Sequence, residues 1–138
     1  MHGENDVTRV LQDDGVGRVE LTQWENRATT SVAELEDALG TGSWAVRLAY
    51  NNRFGGVLIR QMPGEGNRKH FHPDADECWI IVSGHWEWYI EGLGLQKVGP
   101  HDIVIVRQGQ KHQITCLGPE PGMRFAITKP DVSHVYGD

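Results

Sequence analysis

Two cysteines are all that this chain of 138 residues carries, and Cys78 and Cys116 stand far apart in no Cys-x-x-Cys pattern. A disulfide framework or a four-thiolate zinc site cannot be built from them, and free thiols suit a cytoplasmic setting. Long apolar runs are missing as well. None exceeds a handful of residues, against the roughly 20 a membrane span needs, so no membrane association is expected. The opening Met-His-Gly-Glu-Asn-Asp lacks both the positive start and the apolar stretch of a secretory signal. Positive charge is scarce: 13 Lys and Arg face 19 Asp and Glu, a formal charge of −6 with no basic run. A phosphate-tracking surface is absent, and nucleic acid is not an expected partner. There is no internal repeat and no low-complexity tract.

Turn-forming residues, by contrast, are plentiful. The 17 Gly and 6 Pro make about a sixth of the chain, above the usual share of roughly 12%, which suits many short strands joined by tight turns. Runs at 44–50, 57–62, 78–83, 86–91, 103–107, 113–117 and 123–128 read as β. Asn51-Asn52, Pro63-Gly64, Ser83-Gly84, Gly99-Pro100 and Gly118-Pro119 punctuate them at the spacing of an antiparallel sandwich or barrel. The one helix signal is Ser31 to Leu39. Ser31 and Glu34 spell a capping box, Val32, Leu35 and Leu39 share a face, and Gly40 stops it. Residues 1–43 therefore read as an arm and helix packed on a single β domain spanning 44–138, with the first dozen residues the mobile part.

Chemistry concentrates between Gly64 and Gly84. His70 and His72 sit at i and i+2 of an extended segment, so both imidazoles point the same way and can aim at one spot inside a barrel. Glu77 follows the turn Pro73-Asp74-Ala75-Asp76 and can bring its carboxylate back to them. His112, three residues after Gly109, supplies a third imidazole. Three neutral imidazoles and a carboxylate suit one divalent transition metal: Fe(II), Mn(II), Ni(II), Co(II), Zn(II) or Cu(II).

The stretch Gly64, five residues, His70-Phe71-His72, four residues, Glu77, six residues, Gly84 resembles the first motif of the cupin superfamily, and every fixed position is filled. The second motif is matched in part: Asp102, Gly109 and His112 agree. His101 stands in a Gly place, Arg107 in a Pro place and Cys116 in an Asn place. The resemblance implies an all-β double-stranded β-helix, a jelly-roll barrel, in which His70, His72, Glu77 and His112 bind one metal. Coordination positions would remain open for water, substrate or dioxygen. The function it points to first is a metal-dependent enzyme acting on a small organic molecule, of the Fe(II) dioxygenase type, with Glu77 either staying bound or acting as a base. A redox-neutral isomerase, lyase or cyclase is the alternative among enzymes. A metal-containing ligand binder without turnover is the alternative outside them.

Other residues read as structural. His2 and His134 lie near the chain ends and are taken as solvated or hydrogen-bonded, His85 as an exposed turn residue, and His101 as a turn residue. Trp86, Trp88 and Ile90 alternate as a core or interface stripe, and Cys116 shares an inward face with His112 and Ile114 as an inert thiol. Arg47, Arg60 and Gln61 lie on strands that could line the cavity, where an inward Arg would select an anion. With Glu77 inward, Cys78, Ile80 and Val82 point outward and need cover, from the amino-terminal segment or from a second subunit in a homodimer.

Overall fold

Alternation of large apolar side chains along short strands gives each strand two usable faces, and this chain stacks them in two sheets. A computed structural model describes residues 4–137. The elements run α1 (Glu4–Asp13), β1 (Val19–Glu20), α2 (Val32–Leu39), β2 (Trp44–Tyr50), β3 (Gly55–Gln61), β4 (His70–Phe71), β5 (Glu77–Ser83), β6 (Trp86–Ile90), β7 (Gly94–Val98), β8 (Ile103–Val106), β9 (His112–Cys116), β10 (Gly122–Thr128) and β11 (Val135–Tyr136). One sheet has the order β1-β2-β3-β10-β5-β8 and the other β11-β4-β9-β6-β7. From β3 to β6 and again from β7 to β10 successive strands alternate between sheets, which is the double-stranded β-helix.

The barrel interior joins Ile59, Trp79, Ile81 and Ala126 of the first sheet to Trp86, Trp88, Ile90, Ile114 and Cys116 of the second. Trp79 meets Trp88 edge-on with ring centroids 5.6 Å apart, the arrangement the ring quadrupoles favour. Outward residues of the first sheet form a second core: Trp44, Val46, Leu58 and Met123 lie under Leu35 and Leu39 of α2, beside Trp24. α2 is capped as its sequence spells, with Ser31 Oγ accepting from the Glu34 N–H at 3.1 Å and Gly40 ending it at φ 90°. Its fully buried Leu35 contributes about 1.5–3 kcal/mol. Val82 packs against this second core, so the amino-terminal segment covers that part of the outward set.

Three sequence expectations change. α2 is not the only helix, because residues 4–13, expected to be mobile, form α1. Val10 and Leu11 are buried and Val7 packs against the core, an i, i+3, i+4 apolar stripe set among polar neighbours. β1, β4, β7 and β11 were not foreseen. β1, β4 and β11 are two residues long, and β7 is largely exposed, so no periodicity marks them. The turn before β8 forms without its glycine: His101 itself takes φ 75° and donates its N–H to Ile81 O at 2.7 Å. Gly84 is needed where it stands, at φ 81° with a Cβ position only 2.6 Å from Gly122 Cα. His2 lies outside the described residues.

Candidate metal centre

The β4–β9 pairing sets His70 directly opposite His112, so two imidazoles from neighbouring strands point into the barrel. Their ring centroids are 4.3 Å apart, and His72 lies 5.0 Å from His70 and 5.2 Å from His112. Glu77 opens β5 on the facing sheet, where its Oε1 stands 3.2 Å from His72 Nε2 and 3.5 Å from His112 Nε2. The Trp79 indole N–H donates to the same oxygen at 2.7 Å. All four side chains named from the sequence are buried.

Each imidazole is oriented by the backbone. Nδ1 of His70 meets Arg68 O at 2.8 Å, Nδ1 of His72 meets Ser133 O at 2.8 Å, and Nδ1 of His112 meets Gln110 O at 3.2 Å. A carbonyl only accepts, so each Nδ1 carries the proton and the lone pair that a metal would take is that of Nε2. Nε2 of His112 is buried without a hydrogen-bond partner, a cost that a metal would remove. The ligand atoms of His72, Glu77 and His112 lie within 4.8 Å of one another, and this cluster could hold a metal ion. On that evidence the donor set fits a transition metal.

A residue taken as structural from the sequence joins the site. His134, placed by the pairing of β11 with β4, has its ring 4.7 Å from His72 and 5.1 Å from His70. Its ligand atoms fall within 4.8 Å of theirs in a second, all-imidazole cluster. Its place near the chain end is what argued against it. His85 and His101 are exposed, as expected of turn residues.

Burial governs the protonation states. It pushes the His70 imidazole down to about 2, helped by repulsion from His112, His134 and His72, and leaves the ring neutral. Burial would also lower His72, but the Glu77 carboxylate outweighs it and holds that imidazole above its usual range. For Glu77, burial would raise the carboxyl, yet the His72 charge holds it well below. Burial raises the Cys116 thiol, keeping it protonated and unreactive.

A cavity of about 80 Å³ adjoins the cluster, lined by His70, Glu77, Trp79, His134, Arg124 and Arg47 among others, and roofed by Val7, Val10, Leu11 and Asp14 from α1 and its end. Of the three polar strand residues singled out from the sequence, Arg47 lines this space, paired with Glu25 at 2.6 Å and stacked 3.7 Å over Tyr50. Arg60 instead turns to the carbonyls of Thr41 and Gly42. Gln61 lies buried beneath Arg124, donating to Gly66 O and accepting from the guanidinium. Arg124 was missed by sequence reasoning, although its even spacing from Ala126 on a barrel strand marked an inward position. Burial pulls it down to about 10, so it stays charged at neutral pH. Burial also raises the Asp14 carboxyl to about 6, against a hydrogen bond from the Arg68 N–H and the charge of Arg124.

Solved structures share this architecture. A conserved double-stranded β-helix protein of Klebsiella pneumoniae is 22% identical, aligned over 81% of this chain and 93% of its own, with a TM-score of 0.69. A sugar phosphate isomerase of the cupin superfamily from Silicibacter pomeroyi is 22% identical over 62% of this chain and 57% of its own, TM-score 0.57. The oxalate decarboxylase of Lactobacillus farciminis, solved as a formate complex, is 20% identical over 62% of this chain and 27% of its own, TM-score 0.57. Among curated proteins none matches the chain. Among the described residues no helix is long and apolar enough to cross a membrane. The family model for the cupin domain matches residues 57–128; with the barrel and its inward histidines in place, the chain belongs to the cupin family.

Proposed function

We propose that the protein is a mononuclear metal-dependent enzyme acting on a small organic molecule, of the Fe(II) dioxygenase type. The observation that carries the metal is the buried Nε2 of His112, unpartnered and facing the Glu77 carboxylate. His70, His72 and His112 bind through Nε2, and Glu77 is the fourth ligand, its charge offsetting the ion. Bound there, a divalent metal would supply Lewis acidity and, as iron, redox chemistry toward dioxygen. Trp79 fixes the Glu77 carboxylate through its indole N–H, and with Val57 and Ile59 it gives the cavity an apolar lining that would disfavour water beside the reacting groups. A Glu77 oxygen freed from the ion would take up a substrate proton.

A redox-neutral isomerase or lyase using Mn(II), Ni(II), Co(II) or Zn(II) is the second reading, favoured by the isomerase and decarboxylase among the structural neighbours. The chain acts as a homodimer, supported by the exposed Ile103 and Ile105 beside half-buried Cys78 and Ile80. Its free thiols suit the cytoplasm.

Elemental analysis of untagged protein is expected to give about one transition metal per chain. His72→Ala should lower metal affinity by about 10-fold or more with the far-ultraviolet spectrum kept, while His85→Ala changes neither. Glu77→Gln separates ligand from base, since it weakens metal binding in the first role and lowers turnover alone in the second. Oxygen uptake with catechols, diketones, thiols and hydroxy acids supports the dioxygenase; conversion without uptake supports the isomerase or lyase. Binding without either leaves a ligand binder, and less than about a tenth of an equivalent of metal after reconstitution overturns the metal reading.

A further inference from the structure

Arg124 is a charged side chain in the wrong place for a structural one. It projects from β10 into the barrel and is 1% exposed. Among the described residues no carboxylate comes within ion-pair distance of it. Its hydrogen bonds run from Nε at 3.2 Å and Nη2 at 2.8 Å to a single neutral acceptor, Gln61 Oε1. The guanidinium otherwise lies on aromatic faces, 4.6 Å from the Trp79 ring centroid and 5.4 Å from that of Trp86. One amide oxygen leaves Nη1 and part of the fork without an acceptor. The Asp14 and Glu77 carboxylates act on it only from beyond contact distance, and a buried cation with no anion in contact is costly, so apolar packing would serve the core better. Arg47, the other cavity arginine, is already neutralised by Glu25.

Its position supplies the reason for keeping it. Arg124 lines the same cavity as His70, Glu77 and His134. Trp79 stands between the two ends of that space, giving its indole N–H to Glu77 and its ring face to Arg124. Gln61, anchored on Gly66 O, fixes two of the five N–H groups and aims the fork. A planar fork with free donors in a water-poor pocket matches a carboxylate in bidentate fashion.

We propose that Arg124 is the specificity-determining residue of the cavity and that the ligand is a small carboxylate, its anionic end on the guanidinium and its other end toward the His/Glu cluster. The second half rests on the reading of that cluster as the reacting end; the carboxylate contact needs no metal.

The test uses the full chain, metal-free and metal-loaded, with pyruvate, 2-oxobutyrate, oxalate and malonate, each against its uncharged methyl ester. Binding is followed by tryptophan fluorescence, which Trp79 and Trp86 make sensitive to this spot. At least one acid is expected to bind about tenfold or more tighter than its ester in both forms of the protein. Arg124→Gln should abolish that preference, and Arg124→Lys, which keeps the charge but not the fork, should restore it in part. If Arg124→Gln does not fold, the lysine variant and the wild-type acid-to-ester ratio still decide. No acid preference in wild type overturns the proposal. So does a preference that survives both substitutions, and so does one seen only with metal bound, which would place the carboxylate on the ion. A preference in the metal-free chain that Arg124→Gln removes upholds it even if the site never takes up metal.

Discussion

A histidine whose Nδ1–H is spent on a main-chain carbonyl can offer only Nε2 to a ligand, and His72 and His112, so oriented beside the Glu77 carboxylate, could hold a cation. The motif spacing singled out His70, His72, Glu77 and His112, which the fold buries side by side, because those positions are local to two strand turns. His134 and Arg124 were not legible in the same way. One reaches the site through a two-residue strand near the end of the chain, and the other stands out by having no carboxylate in contact, which only three dimensions reveal. The departures from the second motif were visible, but not their effect. His101 occupies the left-handed region at φ 75° in an exposed turn, a conformation that costs a residue with a Cβ about 1–2 kcal/mol. His101→Gly removes that strain and returns part of it as chain entropy in the unfolded state. The variant is expected to be more stable by about 0.5 kcal/mol in urea denaturation, with metal content unchanged. A loss of stability would mean that the imidazole makes a contact worth more than the strain.

At the scale of elements, the seven strands that bury apolar side chains were legible from alternation and turn residues, and α2 from its capping box. α1 was not, because a single stripe of Val7, Val10 and Leu11 in a polar segment stabilises a helix only once a surface is there to receive it. That surface is the cavity mouth, and Asp14 at the end of α1 enters with it. Its folded carboxyl titrates near 6, against 3.8 when unfolded. Between those values the folded chain holds the proton and the unfolded chain does not, so stability falls as pH rises through this window and stays lower above it. Asp14→Asn keeps an oxygen for the Arg68 N–H and has no proton to lose. Thermal unfolding of wild type and variant should nearly coincide at pH 4 and separate by pH 7.5, with the variant more stable by about 1 kcal/mol after allowance for the solvent that reaches the carboxyl. Equal stability at both ends of the range would show that Asp14 ionises freely, as it would if α1 left the cavity open.

Over the whole molecule, the outer face of the six-stranded sheet is half clothed. α2 and Trp24 cover the part formed by β2, β3 and β10 and reach Val82 of β5, and among the described residues nothing comparable covers Cys78, Ile80 and β8. There Ile103 is 57% and Ile105 55% exposed. The register sets Ile105 beside Cys78, Ile103 beside Ile80, and Ile127 on the other flank of Cys78, so the apolar side chains form one continuous strip. β8 is also the free edge of its sheet, which makes the strip accessible to a second copy across a two-fold axis. Isologous pairing buries each isoleucine twice, once per protomer, at about 1.5–3 kcal/mol for each side chain fully covered. Light scattering at micromolar concentration is expected to give twice the 15.5 kDa chain mass. Replacing Ile103 and Ile105 together by Lys would bring two pairs of like charges to the axis while leaving the inward Val104 and Val106 in place, and should yield a folded monomer. A wild-type chain that scatters at 15.5 kDa, or a double variant that remains dimeric, would remove this face as the subunit contact.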